Sequence, residues 1–263
     1  LEWLETKSGA WVPDNATRNR AWLTQHVFPS IGARPVEELE APELLAMLRK
    51  LVARGTLNTA ERVRGMLSAI FRFAIATGRA KRDPAADLRG ALPSATKRHF
   101  AALTAPADVA ELLRAIDGYQ GSPVTFAALR LAPLLFQRPG ELRAAEWSEF
   151  DLGAAEWRIP AARQKIKKAD KENPRTPPHV VPLPSQAVTI LRELELLTGA
   201  GRLLFAGLRT PSRPMSENTV NTALRRMGYS AEVHTAHGFR ATARTIMDEV
   251  LGERVDLIEH QLA

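Results

Sequence analysis

The charged residues best placed for chemistry lie in two motifs about a hundred residues apart. Arg138 follows an apolar run and occupies the turn in Gln137-Arg138-Pro139-Gly140-Glu141-Leu142, where the backbone fixes the direction of a side chain. Its guanidinium is permanently charged and presents a planar set of donors that suits phosphate or carboxylate. Glu141, one helical turn later, could hold that guanidinium in place. On its own such a pair is usually a surface ion pair, so the interpretation depends on the second motif.

The second motif is His237-Gly238-Phe239-Arg240, at the predicted start of a helix. Free backbone amides and the helix dipole favour anions at such a position. The spacing of three residues places His237 and Arg240 on one face of the helix. A lone histidine there is more often a capping or core residue, and it is the arginine beside it that points to chemistry.

Two arginines, a histidine and a lysine are the groups that phosphoryl transfer without a metal requires. The arginines stabilise charge on the non-bridging oxygens, the histidine assists proton transfer, and the lysine protonates the leaving oxygen. The lysine is expected in the basic stretch Arg163-Gln164-Lys165-Ile166-Lys167-Lys168. The sequence has no paired carboxylates arranged for magnesium and no phosphate-binding glycine loop, which argues against nucleotide hydrolysis and two-metal nuclease chemistry.

Apolar residues at helical spacing predict a small helical bundle in the first hundred residues. The helices are predicted to start near Asp14 or Asn15, at Ala41-Pro42, and at Thr56 or Asn58, and to end before Pro29, at Gly55 and at Gly78. The faces opposite the apolar stripes carry Arg62, Arg64, Arg72 and Arg79. Residues 92–98 have the composition of a linker and place a domain boundary between 98 and 99.

Positive charge is concentrated in the first of these two parts. Residues 1–98 hold 16 Lys and Arg against 10 Asp and Glu, whereas residues 99–263 hold 20 against 19. The formal net charge of +7 favours a polyanionic partner. The first part is therefore predicted to be a basic clamp, and the second to place its cations at chosen sites.

Residues 99–263 are predicted to combine helices with a few short strands. Helices are expected near 105–119 and 123–136, before the Arg138 turn, and later at 185–197, 216–227, 237–250 and from about 254. Strands are expected at 148–152, 156–160 and 180–183, with a basic hairpin and a long loop between the last two. The predicted fold class is mainly α with a small antiparallel β-sheet.

The composition also excludes several classes of protein. The chain has no cysteine, which rules out disulfides and thiolate metal sites. No apolar run reaches the length of a membrane span, and the first residues do not form a secretion signal. We therefore expect neither a membrane protein nor a secreted one.

The two motifs resemble those of tyrosine recombinases, specifically integrases of the prophage or genomic-island type. Residues 137–142 are similar to the stretch around that family's first catalytic arginine, and residues 237–244 to its His-x-x-Arg box. Residues 73–80, 83–88 and 179–183 are similar as well, so the resemblance covers nearly the whole chain.

The resemblance implies a helical core-binding domain at 1–98 and a catalytic domain at 99–263 that close as a clamp around duplex DNA. Arg138 and Arg240 would bind the scissile phosphate, Glu141 would buttress the site, and His237 would be the acid/base residue. Lys165 matches the family's hairpin lysine best, with Lys167 or Lys168 as alternatives. The predicted DNA-contacting residues are Arg62, Arg64, Arg72, Arg79, Lys97, Arg98, Lys167 and Lys168.

The function that the resemblance implies is site-specific DNA recombination, in which mobile DNA is joined and excised through a 3′-phosphotyrosyl intermediate, with no cofactor. The expected partners are duplex attachment sites, further copies of the chain as a tetramer on DNA, and a DNA-bending accessory protein. The location that the resemblance implies is the bacterial cytoplasm, at the nucleoid. Two alternatives remain open: a non-cleaving architectural or regulatory DNA-binding protein, and an enzyme similar to type IB topoisomerases.

The chain departs from the family pattern at its nucleophile. The family places a second His or Trp and then a tyrosine after the His-x-x-Arg box, but Tyr119 and Tyr229 both precede it. Residues 257–263 resemble the lead-in to that missing segment, and His260 resembles a position beside the catalytic one. We therefore expect a catalytic domain that is C-terminally incomplete, without a nucleophile in this chain, and an arm-binding domain ahead of Leu1.

Overall fold

The computed structural model of this chain describes residues 1–93 and 100–262. The chain divides into two compact units, Leu1–Arg98 and His99–Ala263, and each unit has its own hydrophobic core. Within the described ranges, no helix has both the length and the apolar character needed to cross a membrane. Two of the predicted DNA contacts, Lys97 and Arg98, lie outside the described residues.

The first unit is built from helices, as its apolar stripes predict. The two longest helices pack together, and Leu44 and Leu48 of one are buried in the same core as Leu67 and Phe71 of the other. The α-helices are α1 (Glu2–Ser8), α2 (Pro13–Trp22), α3 (Phe28–Ile31), α4 (Ala41–Ala53) and α5 (Leu57–Ala76).

The prediction that the helix starting near Asp14 or Asn15 ends before Pro29 was wrong. A π-helical turn at Leu23–Val27 joins α2 to α3, so the helical path continues through Pro29 to Ile31. Proline has no N–H and its ring clashes with the preceding turn of a regular α-helix. The wider turn, in which Phe28 donates to the Leu23 carbonyl, accommodates this residue. The start also differs, because Val12 rather than Asp14 or Asn15 is the N-cap.

The predicted DNA-contacting arginines of the first unit differ in their surroundings. Arg62 and Arg72 are exposed on α5, and the Arg62 guanidinium lies 6.0 Å from the Trp22 ring centroid. Arg64 instead donates to the carboxylate of Glu61 and the carbonyl of Ala85, which ties α5 to the turn at 84–90. Arg79 is exposed and pairs with Glu2. Arg64 therefore has an internal, structural role.

The second unit surrounds a largely helical core with a small sheet at one side. The α-helices are α6 (Pro106–Asp117), α7 (Pro123–Leu135), α8 (Pro139–Arg143), α9 (Lys168–Glu172), α10 (Ser185–Thr198), α11 (Thr219–Arg226), α12 (Gly238–Thr245) and α13 (Val255–Leu262). The strands are β1 (Phe150–Asp151), β2 (Glu156–Ile159) and β3 (His179–Pro182). This architecture confirms the predicted fold class.

The three strands form an antiparallel sheet in the order β1-β2-β3. Trp157 of β2 lies opposite Phe150 of β1 and Val181 of β3, and the Trp157 and Phe150 rings stack at 5.1 Å between centroids. Trp157, Ile159 and Val181 are fully buried. The sheet thereby anchors both ends of the basic hairpin that connects β2 to β3.

The predicted long loop between β2 and β3 contains a short helix. Lys167 is its N-cap, and α9 starts at Lys168 and ends at Glu172. Asp170 lies in its first turn and Lys171 in its last, which suits the helix dipole. The basic stretch is therefore divided, with Lys165 ahead of the helix and Lys168 within it.

Candidate active site

The Arg138 turn has the geometry that its sequence predicts. Arg138 is the N-cap of α8, and Glu141 is the third residue of that helix. One carboxylate oxygen of Glu141 accepts from the Arg138 backbone N–H at 3.2 Å, and the other accepts from Nη1 of the Arg138 guanidinium at 3.0 Å. Glu141 is buried whereas Arg138 is partly exposed. The carboxylate thus holds the guanidinium, and no other described residue accepts from its remaining nitrogens.

Arg240 is positioned by two backbone carbonyls. Its Nη1 donates to the carbonyl of Phe136 at 2.9 Å, and its Nη2 donates to the carbonyl of Leu262. Phe136 caps α7 in the left-handed region, with φ 57°, a conformation that non-glycine residues rarely adopt. It comes two residues before Arg138, so this bend and its contact with Arg240 bring the two arginine motifs together.

His237 is the N-cap of α12 and is partly buried. Burial lowers the pKa of its imidazole, and the positive charges of Arg240, Lys165 and Arg138 lower that pKa further. The pKa of Arg240 is lowered by burial and by Arg138, and raised by Glu141 and Glu259. Because the charges of the two motifs and of Lys165 shift the pKa values of His237 and Arg240, these residues belong to one site.

Arg138, Glu141, Lys165 and His237 line one cavity of about 530 Å³. Arg240 is not among the described residues that line the cavity, but the charge of Arg138 lowers its pKa. Further basic residues of the wall are Arg143, Arg163 and Lys171. Lys167 and Lys168 are not among the described residues that line this cavity. The Nζ of Lys168 lies 3.7 Å from a carboxylate oxygen of Glu172.

A buried ion pair that the sequence did not reveal supports the cavity. Arg163 donates to the Glu149 carboxylate and to the backbone carbonyl of Glu141. Glu149 also accepts from the indole Nε1 of Trp157 at 2.9 Å. This network joins α8, β2 and the start of the basic hairpin. Arg163 belonged to the predicted hairpin, but its partners lie 14 and 22 residues away in sequence.

Gln137 connects the Arg138 motif to the last helix. It is buried, and its amide nitrogen donates to the carbonyls of Gln261 at 2.7 Å and Leu135 at 3.2 Å. Together with the contact of Arg240 to Leu262, this bond anchors the end of α13 at the site. His260 is exposed there, and its ring lies 6.0 Å from that of His179. Nothing in the local spacing of these residues indicates these contacts.

The tyrosines lie outside the cavity wall in the described part of the chain. Tyr119 and Tyr229 both pack against the core of the second unit. Burial raises the pKa of the Tyr229 hydroxyl, so that hydroxyl is a poorer source of phenolate. Among the described residues there is no group of three or more His, Asp or Glu that could hold a metal ion.

Comparison with known families accounts for both units. Residues 1–91 match the phage integrase central domain, and residues 103–257 match the phage integrase family. The chain belongs to the phage integrase family. Its members are tyrosine recombinases, and the predicted resemblance is therefore confirmed.

Curated relatives agree with this family membership over the whole chain. A protein of Escherichia coli K12 described as putative protein IntB is 37% identical over 100% of this chain and 67% of its own length. The integrase of Enterobacteria phage P4 is 36% identical over 100% of this chain and 60% of its own length. The chain thus spans between 60% and 67% of the length of these two relatives.

Solved integrase structures share the fold. Lambda integrase (residues 75–356), crystallised as a dimer bound to a COC′ core site, aligns with a TM-score of 0.72 at 22% identity, covering 100% of this chain and 93% of that one. The Tn1549 transposon integrase, in complex with circular intermediate DNA, aligns with a TM-score of 0.75 at 12% identity, covering 99% and 89%.

Proposed function

We propose that this chain provides the DNA-clamping and catalytic units of a site-specific recombinase that joins and excises mobile DNA. Its catalytic unit would bind one phosphate of a DNA strand and exchange that phosphate between a DNA hydroxyl and a tyrosine. Such a recombinase would act on the bacterial chromosome, in the cytoplasm and at the nucleoid. The proposal includes a 3′-phosphotyrosyl intermediate and needs neither a metal nor a nucleotide.

The observation that carries this proposal is the convergence of like charges on one cavity. Arg138, Arg240 and Lys165 all act on His237 and lower its pKa. Among the described residues, only Glu141 provides a negative charge that both holds Arg138 and acts on Arg240. Grouping cations in a partly buried place is unfavourable unless an anion joins them. A phosphodiester with charge on its non-bridging oxygens meets that need.

Each of these residues has a distinct role in the proposed reaction. The free guanidinium nitrogens of Arg138 would bind a non-bridging oxygen, and Arg240 would add positive charge behind it. His237, neutral near pH 7 because its pKa is lowered, can accept the proton that the attacking hydroxyl loses. Glu141 is the positioning residue that keeps the Arg138 guanidinium in one orientation.

Lys165 is the better candidate for the group that protonates the leaving 5′ oxygen. It lines the cavity beside Arg138, and its charge reaches His237. Lys167 caps α9, and Lys168 lies inside that helix beside Glu172. These two remain candidates for contacts with neighbouring DNA phosphates, as proposed from the sequence.

The first unit would supply most of the remaining DNA contacts, through exposed Arg62, Arg72 and Arg79 and through Lys97 and Arg98. We also propose that several copies act together on a duplex attachment site. Relatives in the solved structures include a lambda integrase tetramer bound to a Holliday junction. A DNA-bending accessory protein completes the proposed assembly.

Strand exchange between two differently labelled duplexes tests this function. The product of the whole reading frame is incubated with both duplexes in EDTA, without nucleotide, and the products are separated on a gel. Recombinant duplexes are the expected result. Relaxation of a supercoiled plasmid without exchange would instead indicate a topoisomerase, and binding without either reaction would indicate an architectural protein.

A further inference from the structure

Residues 100–103, which we call the strap, lie across the segment that leads into α12. The Ala101 carbonyl accepts from the backbone N–H of Thr235 at 3.1 Å and from its hydroxyl at 3.3 Å. The Leu103 backbone N–H donates to Nδ1 of His234 at 3.1 Å. The Leu103 carbonyl accepts from the Thr242 hydroxyl at 2.6 Å. The strap is thus hydrogen-bonded to residues that precede His237 in the chain and to one that follows it.

A glycine makes the close approach of the strap possible. Gly238 is the residue after His237, and a Cβ added there would overlap the carbonyl oxygen of Ala101. Gly238 is buried and has an ordinary helical setting. Space, rather than backbone conformation, is therefore the requirement at this position. The fit places the strap directly against the N-terminus of α12.

Phe100, the first residue of the strap, covers the His237 ring. The two ring centroids are 4.4 Å apart, with an angle of 44° between the planes. Phe100 is 63% exposed, so its ring contributes little to the core. Both residues line the cavity that holds Arg138 and Lys165. Because this aromatic ring is exposed and lies over the proposed acid/base residue, we expect it to serve the site and not the stability of the fold.

We propose that Phe100 is a positioning residue for His237, held over the imidazole by the strap so that this ring keeps one orientation and is shielded from water. The proposal rests on the proposed function only for the chemical role of His237. The contact itself exists without DNA and can be measured without any reaction.

Shielding has a predictable electrostatic consequence. The charged groups that face His237 are Arg240 on its own helix, Arg138 at the start of α8, and Lys165 in the basic hairpin, and each lowers the pKa of His237. Burial is the largest cause of that lowering, and Phe100 provides part of the burial. Removing the ring leaves the three cations in place and lets water reach the imidazole.

The experiment is a titration of the histidine ring protons of the 263-residue chain by NMR. His237→Gln identifies the signal by its disappearance. In the wild type we expect a midpoint below 6.5 and a chemical shift displaced by the ring current of Phe100. Phe100→Ala should raise the midpoint by several tenths of a pH unit and abolish the displacement. Phe100→Leu should abolish the displacement and change the midpoint less, because its side chain still excludes water.

Two further variants separate positioning from a general effect on the fold. Leu196→Ala removes a side chain that is 87% exposed on α10, and it should leave the His237 signal unchanged. Gly238→Ala keeps Phe100 but displaces the strap, and it should shift the His237 signal in the same direction as Phe100→Ala.

The proposal would be overturned if Phe100→Ala kept the melting temperature of the wild type, did not raise the titration midpoint of His237, and left the chemical shift of the His237 ring unchanged. Such a result would leave the proposed recombinase function intact. Conversely, a recombination assay in which His237→Gln keeps full activity would overturn the chemical role of His237 and leave the contact with Phe100 standing.

Discussion

The two arginines of the site are held by the protein in different ways. The Arg138 guanidinium donates to a single carboxylate, that of Glu141. Arg240 donates to the carbonyls of Phe136 and Leu262. Arg240→Ala leaves both carbonyls without this donor, which costs about 1–3 kcal/mol for each buried group.

We expect Arg240→Ala to lower the free energy of unfolding, as measured by urea denaturation. Arg202→Ala is a suitable control, because this arginine is exposed and pairs with Glu146 at the surface. An Arg240→Ala variant as stable as Arg202→Ala would mean that the carbonyl contacts do not stabilise the fold.

His234 gives the fold a specific dependence on pH. It is fully buried, its Nδ1 accepts the N–H of Leu103, and burial together with the charge of Arg225 lowers its pKa from 6.5 to about 4. Between pH 6.5 and about pH 4, His234 binds a proton in the unfolded chain but stays neutral in the folded chain. Stability should therefore fall as the pH drops from 6.5 to about 4, by about 3 kcal/mol in total from this residue.

Urea denaturation at pH 7 and pH 5 measures this effect. His234→Gln removes the titrating group, so the loss of stability between the two pH values should be smaller in the variant than in the wild type. An identical loss in both proteins would show that His234 is not the source.

At the scale of elements, the Arg163–Glu149 pair fixes the basic hairpin against α8. Glu149 is buried, and both of its oxygens are used, by Arg163 and by the Trp157 indole. Removing one partner of a buried pair leaves an unpaired charge and typically costs about 3–5 kcal/mol. Glu149→Gln should therefore destabilise the chain strongly, as seen in its urea midpoint.

The matched control is Glu156→Gln on β2. Glu156 makes a similar ion pair with Arg158, but this pair is exposed, so the same substitution should change the urea midpoint little. A similar loss from both variants would contradict the idea that burial makes the Arg163–Glu149 pair structural.

The elements also show where reasoning from sequence succeeds. The helical spacing of Leu44 and Leu48, and the Pro-Gly signal at the Arg138 turn, depend on neighbours within one or two helical turns, and both features were predicted. The contact between Arg138 and Glu141 was predicted for the same reason.

The contacts missed from sequence are long-range. Phe100 meets His237, Arg163 meets Glu149, and Arg240 meets Phe136, across separations of 14 to 137 residues. No local periodicity encodes such pairs, because they form only when separate elements pack together. The π-turn before Pro29 was missed for a related reason, since packing of Leu23 and Val27 in the core favours continuing the helix over ending it.

At the scale of the whole molecule, the uneven distribution of charge predicts how the chain binds DNA. Cations in contact with phosphates release counterions, so the affinity for duplex DNA should fall by orders of magnitude as salt rises from about 50 to 200 mM. Exposed Arg62 and Arg72 on α5 are expected to make such contacts. The double variant Arg62→Ala/Arg72→Ala should reduce the slope of log K against log salt by about two.

Fluorescence anisotropy with a labelled duplex at several salt concentrations measures that slope. Arg202→Ala serves again as the control and should leave the slope unchanged. A salt-independent affinity, or a double variant with the slope of the wild type, would contradict the proposed role of the first unit.

The central claim is that Arg138, Lys165, His237 and Arg240 form a site for strand transfer through a phosphate, and covalent trapping on DNA tests it most directly. The product of the whole reading frame is incubated with a nicked suicide duplex that carries its attachment site, and denaturing gels reveal any covalent complex. We predict a covalent band with the DNA 3′ phosphate on a tyrosine, formed about 10²–10³ times more slowly in Arg138→Ala. A wild-type protein that binds this duplex without forming the band, or an Arg138→Ala variant that forms it at the wild-type rate, would contradict the account.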